Sequence, residues 1–515
     1  MASLPVGALR RPLNTETKRQ LLRAAVVVIG ALIAMGMSAA VGTSPDGALV
    51  IGFAIAAVGA IYMILRPSFG MIFLVIMIYF DFSNILEVGF GIPSANKLLV
   101  VLIVVGVIGT RAIIHGKPLV IRPTEGAIIL YGFVIALSIF ASGLLEDSLK
   151  QLLDFAKDFA IILIIIQLCD DEKIWKRLQW TMIILAAFLS LLTCYTMLTG
   201  DTSNNFLGLA RSPVHEITAG FDSIRPTGPL DDPNFYAQIL LMVFPLAAYR
   251  VVDEKKTFSR GFALVCSALI VAAIIFTYSR SAFIMIIVIS FVIVFERKMN
   301  VYKFAALGLA ILVGATPILP AGYLARMATL TGAAEGADTQ TEASFRGRSS
   351  EAQVAVLMFL DYPLLGAGYS NFEENYLKYS TQLGIDDRLQ NRQAHNLYLE
   401  AAAETGVIGL FAFSLMYLLI FRSLWIARKQ LIQIGRRDLV PWITGLAFGL
   451  LGYLLTSIFL HDDYVRYLRL MMGLALSASA LSEALVRQHN QRQTHRALVA
   501  APHEGLFSSK TNPNS

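Results

Sequence analysis

Apolar residues occur in long unbroken runs, near 21–42, 48–65, 68–80, 98–114, 124–143, 151–168, 178–198, 235–250, 261–278, 282–296, 304–319, 396–421, 440–460 and 468–485. Most of these runs approach the roughly twenty residues that cross a bilayer, and 68–80 and 282–296 fall short, so about 12–14 crossings are expected. Inside lipid the backbone must satisfy its own hydrogen bonds, and runs this long do not fit the alternating strands of a barrel. The pattern therefore predicts an all-α, polytopic transmembrane helical bundle. Composition agrees: of 515 residues 56% are hydrophobic and only 15% charged, against about 25% charged in soluble domains.

Charge then sets an orientation. With the N-terminus in the cytosol, alternate connections carry Arg66; Arg111, Lys117 and Arg122; Lys173, Lys176 and Arg177; Arg250, Lys255, Lys256 and Arg260; Arg297, Lys298 and Lys303; and Arg422, Arg428, Lys429, Arg436 and Arg437. The intervening short loops carry almost none, which is the bias of cytosolic loops. The net charge of +6 thus reflects membrane orientation and calls for no nucleic acid partner. Both termini are expected in the cytosol. Ala24 to Val41, preceded by Arg10, Arg11, Lys18, Arg19 and Arg23, reads as an uncleaved first helix rather than a signal peptide.

This divides the chain into a cytosolic segment 1–20, a first membrane region 21–319, a long periplasmic loop 320–394, a second membrane region 395–486 and a disordered cytosolic tail 487–515. A connection as long as 320–394 is usually functional. Val354, Leu357 and Met358 repeat at helical spacing within Ser349 to Leu360, predicting an amphipathic helix on the outer face, with a second over Phe372 to Leu383.

The unusual polar residues all fall on that outer face. Arg280 lies in the hinge Thr277-Tyr-Ser-Arg-Ser-Ala282 between two apolar runs; Arg225 and Asp231-Asp232-Pro233-Asn234 lie in the connection 200–234; Arg346 and Arg348 precede the loop helix; His395-Asn396 opens the next apolar run; His461-Asp462-Asp463 forms the last outer turn. A guanidinium grips phosphate through paired hydrogen bonds, so the cluster suits an anionic lipid head group.

These motifs carry a resemblance. Tyr278-Ser279-Arg280-Ser281, Arg348 followed by Tyr362-Pro363-Leu-Leu-Gly366-Ala-Gly368-Tyr369, and His395-Asn396-Leu-Tyr398-Leu with Glu404-Thr-Gly406 resemble the signature of the O-antigen ligase and polymerase superfamily. The resemblance implies an enzyme of the bacterial inner membrane that takes a glycan from a polyprenyl (undecaprenyl) diphosphate carrier at the periplasmic face. Its acceptor would be lipid A-core for a ligase, or a growing glycan for a polymerase of O-antigen or exopolysaccharide. A tryptophan often found after the loop arginine in this family is replaced by Ser350-Glu351-Ala352, leaving Arg346 and Arg348 both open as that arginine; Arg348 has the better spacing to Pro363.

Fixed cations stabilise charge that builds on a departing diphosphate, a role that fits Arg280 and Arg348. His395 is the candidate base for the acceptor hydroxyl, or else a phosphate ligand, and backbone N–H groups of the helix it opens are expected to face the same anion. Attack opposite the leaving group would invert the anomeric centre. Arg225, Arg346, Asn396 and Asp462 are the expected substrate contacts. Asp232 reads as a helix N-cap with Pro233 at the first turn rather than as half of a carboxylate metal site, so neither an obligatory metal nor a cofactor is expected. Cys169, Cys194 and Cys266 read as packing residues, Asp154, Lys157 and Asp158 as an ion-paired helix face, and Glu404 as a packing or orienting residue. The competing class is a transporter or lipid-linked glycan flippase, which would favour internal repeats and charges at mid-membrane depth.

Overall fold

The fold comes from a computed structural model, which describes residues 58–83, 85, 95–114, 116, 122–142, 145–218, 221–300, 302, 337–385, 390–461 and 465–500. The expected first crossing 21–42, the run 304–319, Asp462 and the end of the tail from 501 lie outside these residues. The helices are α1 (Pro67–Tyr79), α2 (Ala95–Val107, continued by a π-helical turn Ile108–Ile114), α3 (Pro123–Ser142), α4 (Leu145–Leu168), α5 (Glu172–Thr199), α6 (Pro233–Asp253), α7 (Thr257–Phe276), α8 (Arg280–Glu296), α9 (Ala337–Asp361), α10 (Phe372–Leu383), α11 (Leu397–Gln433), α12 (Val440–Thr456) and α13 (Val465–Ala500). Within the described residues each apolar run becomes a helix. Six helices are long and apolar enough to cross a membrane, and Pro67–Tyr79 and Val440–Thr456 are shorter apolar helices. The chain is a multi-pass membrane protein.

Helix α6 is central: it packs on α7, α12, α8 and α5 and buries Phe235, Leu240, Leu241, Met242 and Val243. Its start is fixed by Asp232, whose carboxylate accepts from the N–H groups of Asn234 and Phe235 at 2.6 and 3.2 Å, with Pro233 in the first turn. The second sub-bundle pairs α11 with α3 and α13, and α13 with α4. Lys157 bonds Asp154 at 2.6 Å on α4 and approaches Asp158 at 4.0 Å, the ion-paired face expected there. All three cysteines are buried and free.

Three features depart from expectation. The connection 200–234 contains an antiparallel hairpin, β1 (Val214–Thr218) with β2 (Phe221–Ile224), where Val214, Ile217, Phe221 and Ile224 supply strand formers around Gly220. Helix α9 begins at Ala337, so Arg346 and Arg348 lie within the loop helix rather than before it; the apolar spacing that starts at Val354 marked only its packed half. Helix α13 runs on to Ala500, past the expected start of a disordered tail at 487, helped by an Arg487 to Glu483 pair one turn apart.

The two ends of the bundle differ in how charge is handled. At one end, Arg297 pairs with Asp253 at 2.8 Å, Arg428 with Glu296 at 2.6 Å and Arg436 with Glu172 at 2.8 Å, while Arg250 stacks on Trp442 at 3.7 Å. The basic connections expected in the cytosol gather here and tie α5, α6, α8, α11 and α12 together. The other end holds the starts of α6, α8 and α11 and the ends of α7 and α12, where the site is built.

Candidate functional site

The polar hinge between α7 and α8 is a rigid turn. Helix α7 closes at Thr277, whose hydroxyl donates to the Ile274 carbonyl at 2.7 Å, and Ser279 N–H returns to that hydroxyl at 3.3 Å. Tyr278 between them is fully buried and holds φ +58°, a left-handed conformation that a side chain adopts only under tertiary constraint. The constraint is Arg225, which is buried: its Nε donates to the Thr277 carbonyl at 2.9 Å and its Nη2 to Asn234 Oδ1 at 3.2 Å. Arg225, expected among the substrate contacts, thus spends these two donors on locking the hinge to the start of α6. The lock sets Arg280 as the first residue of α8, half-buried at the bundle end.

A second wall comes from the loop. Val354, Ala355 and Met358 of α9 pack with Phe372, Tyr376 and Tyr379 of α10 and with Ala394 and Ala403, which holds Arg348 two turns earlier on α9. Its guanidinium lies over the Phe459 ring at 5.5 Å, just past the end of α12. Although Arg348 is solvent-exposed as a residue, desolvation of its guanidinium lowers its pKa, and the charge of Arg280 lowers it further. The charge of Arg280 therefore reaches the Arg348 guanidinium. Burial likewise pulls Arg225 down to about 10, with Arg280 again adding repulsion.

The third wall is the start of α11. His395 takes φ +44°, and its ring meets His461 edge-on at 5.1 Å, which in turn meets Phe235 of α6 at 5.0 Å. Desolvation lowers the His395 pKa to about 4, with the charges of Arg348 and Arg392 acting the same way. His461, buried behind it, falls to about 3, first from burial and then from His395. Both imidazoles are neutral near pH 7. Asp232 is the carboxylate whose charge reaches Arg225, Arg348 and His395 alike. Arg392 is held by Glu351, which is fully buried, at 2.6 Å.

Arg348 therefore lies within electrostatic reach of both Arg280 and His395, and Arg225 within reach of Arg280. His461 joins them; its position after an apolar run marked the outer turn in the sequence, and only the fold sets its ring against His395. The start of α11 departs from expectation. Asn396 Oδ1 accepts from the N–H groups of Tyr398 and Leu399 at 3.0 and 3.1 Å, Leu397 N–H reaches the carbonyls of Ser457 and Leu460 at 3.0 and 2.9 Å, and Glu400 N–H bonds the Asn396 carbonyl. The N–H groups expected to face an anion are thus taken up inside the protein, because Asn is a strong N-cap and the end of α12 packs against them. Helix α9 carries Arg346 in its backbone; its side chain and the whole of Asp462 lie outside the described residues.

One further cluster positions this site. Helix α11 is broken at Gly406, at φ +64° and ψ −167°, and the turn after α9 sits in the break. Ala367 and Gly368 N–H groups bond the Ala403 and Glu404 carbonyls at 2.9 and 3.1 Å, and Val407 N–H bonds the Pro363 carbonyl at 2.8 Å. The buried Glu404 carboxylate accepts from the N–H groups of Ser370 and Phe372 at 2.8 and 3.0 Å, capping the approach to α10. Backbones approach so closely that a Cβ on Gly406 would overlap the Leu364 carbonyl and one on Gly366 the Glu404 carbonyl. The glycines and Glu404 clasp the loop to α11 and so carry Arg348 toward His395.

Residues 265–414 match the family described as O-antigen ligase. This segment is similar to an O-antigen ligase domain. It spans Arg280, Arg348, His395, Glu404 and Gly406, while Arg225, Asp232 and His461 reach it from outside the matched segment. It implies glycan transfer of the ligase or polymerase type and a membrane setting with lipid-linked glycan substrates. Among curated proteins none matches the chain.

Proposed function

We propose that the protein transfers a glycan from a polyprenyl diphosphate carrier to a hydroxyl acceptor, at the periplasmic face of a bacterial inner membrane, without a metal ion. The observation that carries this reading is that Arg348 lies within electrostatic reach of Arg280 and of the neutral imidazole of His395 at one end of a membrane bundle. A diphosphate seated between the two arginines would turn their repulsion into attraction. As the bond between the anomeric carbon and phosphate oxygen breaks, its electron pair leaves with the diphosphate, where the guanidiniums stabilise it. The acceptor oxygen forms the new bond and its proton passes to His395. Attack from the face opposite the leaving group inverts the anomeric centre.

Neutrality favours His395 as proton acceptor over a cationic phosphate ligand. The cations that depress its pKa are the ones a bound diphosphate would offset, so donor binding raises its basicity at the step where a base is needed. Arg225 serves this reading as the brace of Arg280, and Asn396 as the cap that orients His395; Arg346 and Asp462 remain proposed substrate contacts. Transfer to lipid A-core, as a ligase, is the leading reading. Polymerisation of carrier-linked repeats uses the same donor chemistry and differs in the acceptor.

The test is transfer from a polyprenyl diphosphate-linked glycan by the purified protein in excess chelator. Activity is expected to persist, with kcat/KM level from neutral pH down to about 4, where His395 of the free enzyme takes up a proton, and falling below it. The limb in kcat should lie at higher pH, since the bound diphosphate raises the same pKa. His395→Ala is expected to lower kcat by about 10²–10⁴-fold with little change in donor affinity. Activity that rises on acidification, or that returns only with a divalent ion, would overturn the scheme.

A further inference from the structure

The clasp that seats the loop also exposes apolar side chains beside a membrane-crossing helix. Val356 and Leu360 lie one turn apart on the outward side of α9 and Leu364 follows in the turn after it, and Leu360 and Leu364 are each 63% exposed. Tyr362 beside them is 48% exposed. The inward side of the same helix, Val354, Ala355 and Met358, is fully packed, so the exposed row is a second, unpartnered face. Its position is fixed: the Pro363 and Leu364 carbonyls accept from Val407 and Ile408 at 2.8 and 3.4 Å. Val407, Ile408 and Phe411 are themselves exposed and begin the crossing part of α11, so the apolar row continues directly into a lipid-facing surface.

Depth can be read along α11. From Val407 to Trp425 the unbroken helix rises about 27 Å at about 1.5 Å per residue, close to the roughly 30 Å of a hydrocarbon core. Trp425 is exposed and carries the Lys429 ammonium over its ring at 3.5 Å, an aromatic and a cation paired as at a membrane boundary. With that boundary at Trp425, Val407 lies at the opposite one, and Tyr362 and Leu364 beside it.

We infer that the Leu360–Leu364 turn is a lipid anchor: Leu360, Pro363 and Leu364 enter the acyl boundary of the bilayer, with the Tyr362 hydroxyl at head-group level. The occupant of this face is lipid, by its continuity with α11. The anchor fixes the depth of α9 and so delivers Arg348 at the level where lipid head groups lie. This inference rests on the membrane-crossing reading of α11 and is independent of the proposed chemistry.

Because Cys169, Cys194 and Cys266 are buried, a single introduced cysteine can be labelled with an environment-sensitive fluorophore. Leu364→Cys is compared in phosphatidylcholine–phosphatidylglycerol nanodiscs with Phe411→Cys, on the crossing helix, and Asp201→Cys, in an exposed connection. The label at Leu364→Cys should be quenched by doxyl-labelled lipid as strongly as that at Phe411→Cys and be protected from iodide. Quenching by iodide to the level of Asp201→Cys, with no effect of doxyl lipid, would overturn the anchor. Protection from both quenchers would also overturn it, by showing a protein partner over the face. Leu360→Cys repeats the measurement should Leu364→Cys not fold.

Discussion

Arg280→Ala is expected to lower glycan transfer by about 10²–10³-fold, the loss seen when one preorganised donor to a developing anion is removed. The protein should stay folded, because Arg225, Thr277 and Ser279 hold the hinge. Arg280→Lys should recover only part of the rate, since an ammonium keeps the charge but loses the planar fork that binds two phosphate oxygens together. Initial rates with a lipid-linked glycan, read beside the melting temperature of each variant, separate lost chemistry from lost fold. Full activity in Arg280→Ala would remove this residue from the mechanism.

Gly406→Ala should be strongly destabilising at the clasp. The substitution meets two costs: a side chain forced to φ +64° and a methyl group driven into the Leu364 carbonyl, together roughly 3 kcal/mol or more. Gly384→Ala gives the smaller cost of an ordinary left-handed position without a clash, because Gly384 has φ +61° and ψ +32° and open space around its Cβ position, and about 1–2 kcal/mol is expected there. Thermal unfolding in detergent should rank the two accordingly, and protease sensitivity between α9 and α10 should rise in Gly406→Ala alone. Equal melting temperatures for the two variants would mean that the loop does not depend on this contact for its seat.

The helical architecture was legible because lipid leaves the backbone one local solution, so each apolar run in the described residues becomes a helix. The hairpin Val214–Ile224 was not, since a short pair of strands inside a polar connection has no run long enough to stand out. Arg280, Arg348 and His395 stand out in the sequence as charged or titratable groups where an apolar chain has little reason to keep them, and the fold sets Arg348 within electrostatic reach of the other two. What sequence could not assign is the division of labour around them. Arg225 and Asn396 look like ligand contacts, but Arg225 Nε and Nη2 bond Thr277 and Asn234, and Asn396 Oδ1 caps Tyr398 and Leu399. His461 shows the opposite case, an ordinary turn residue in the sequence whose neighbour His395 is supplied by the meeting of α11 and α12.

Arg280 and Arg348 are expected to hold one and the same diphosphate. A double-mutant cycle measures this directly: affinity for undecaprenyl diphosphate in nanodiscs is determined for the native protein, Arg280→Ala, Arg348→Ala and the double variant. Two arginines on one anion should be coupled, the second substitution costing at least about 1 kcal/mol less or more than it does alone. Losses that add within about 0.5 kcal/mol would place the two guanidiniums on separate sites and contradict the account.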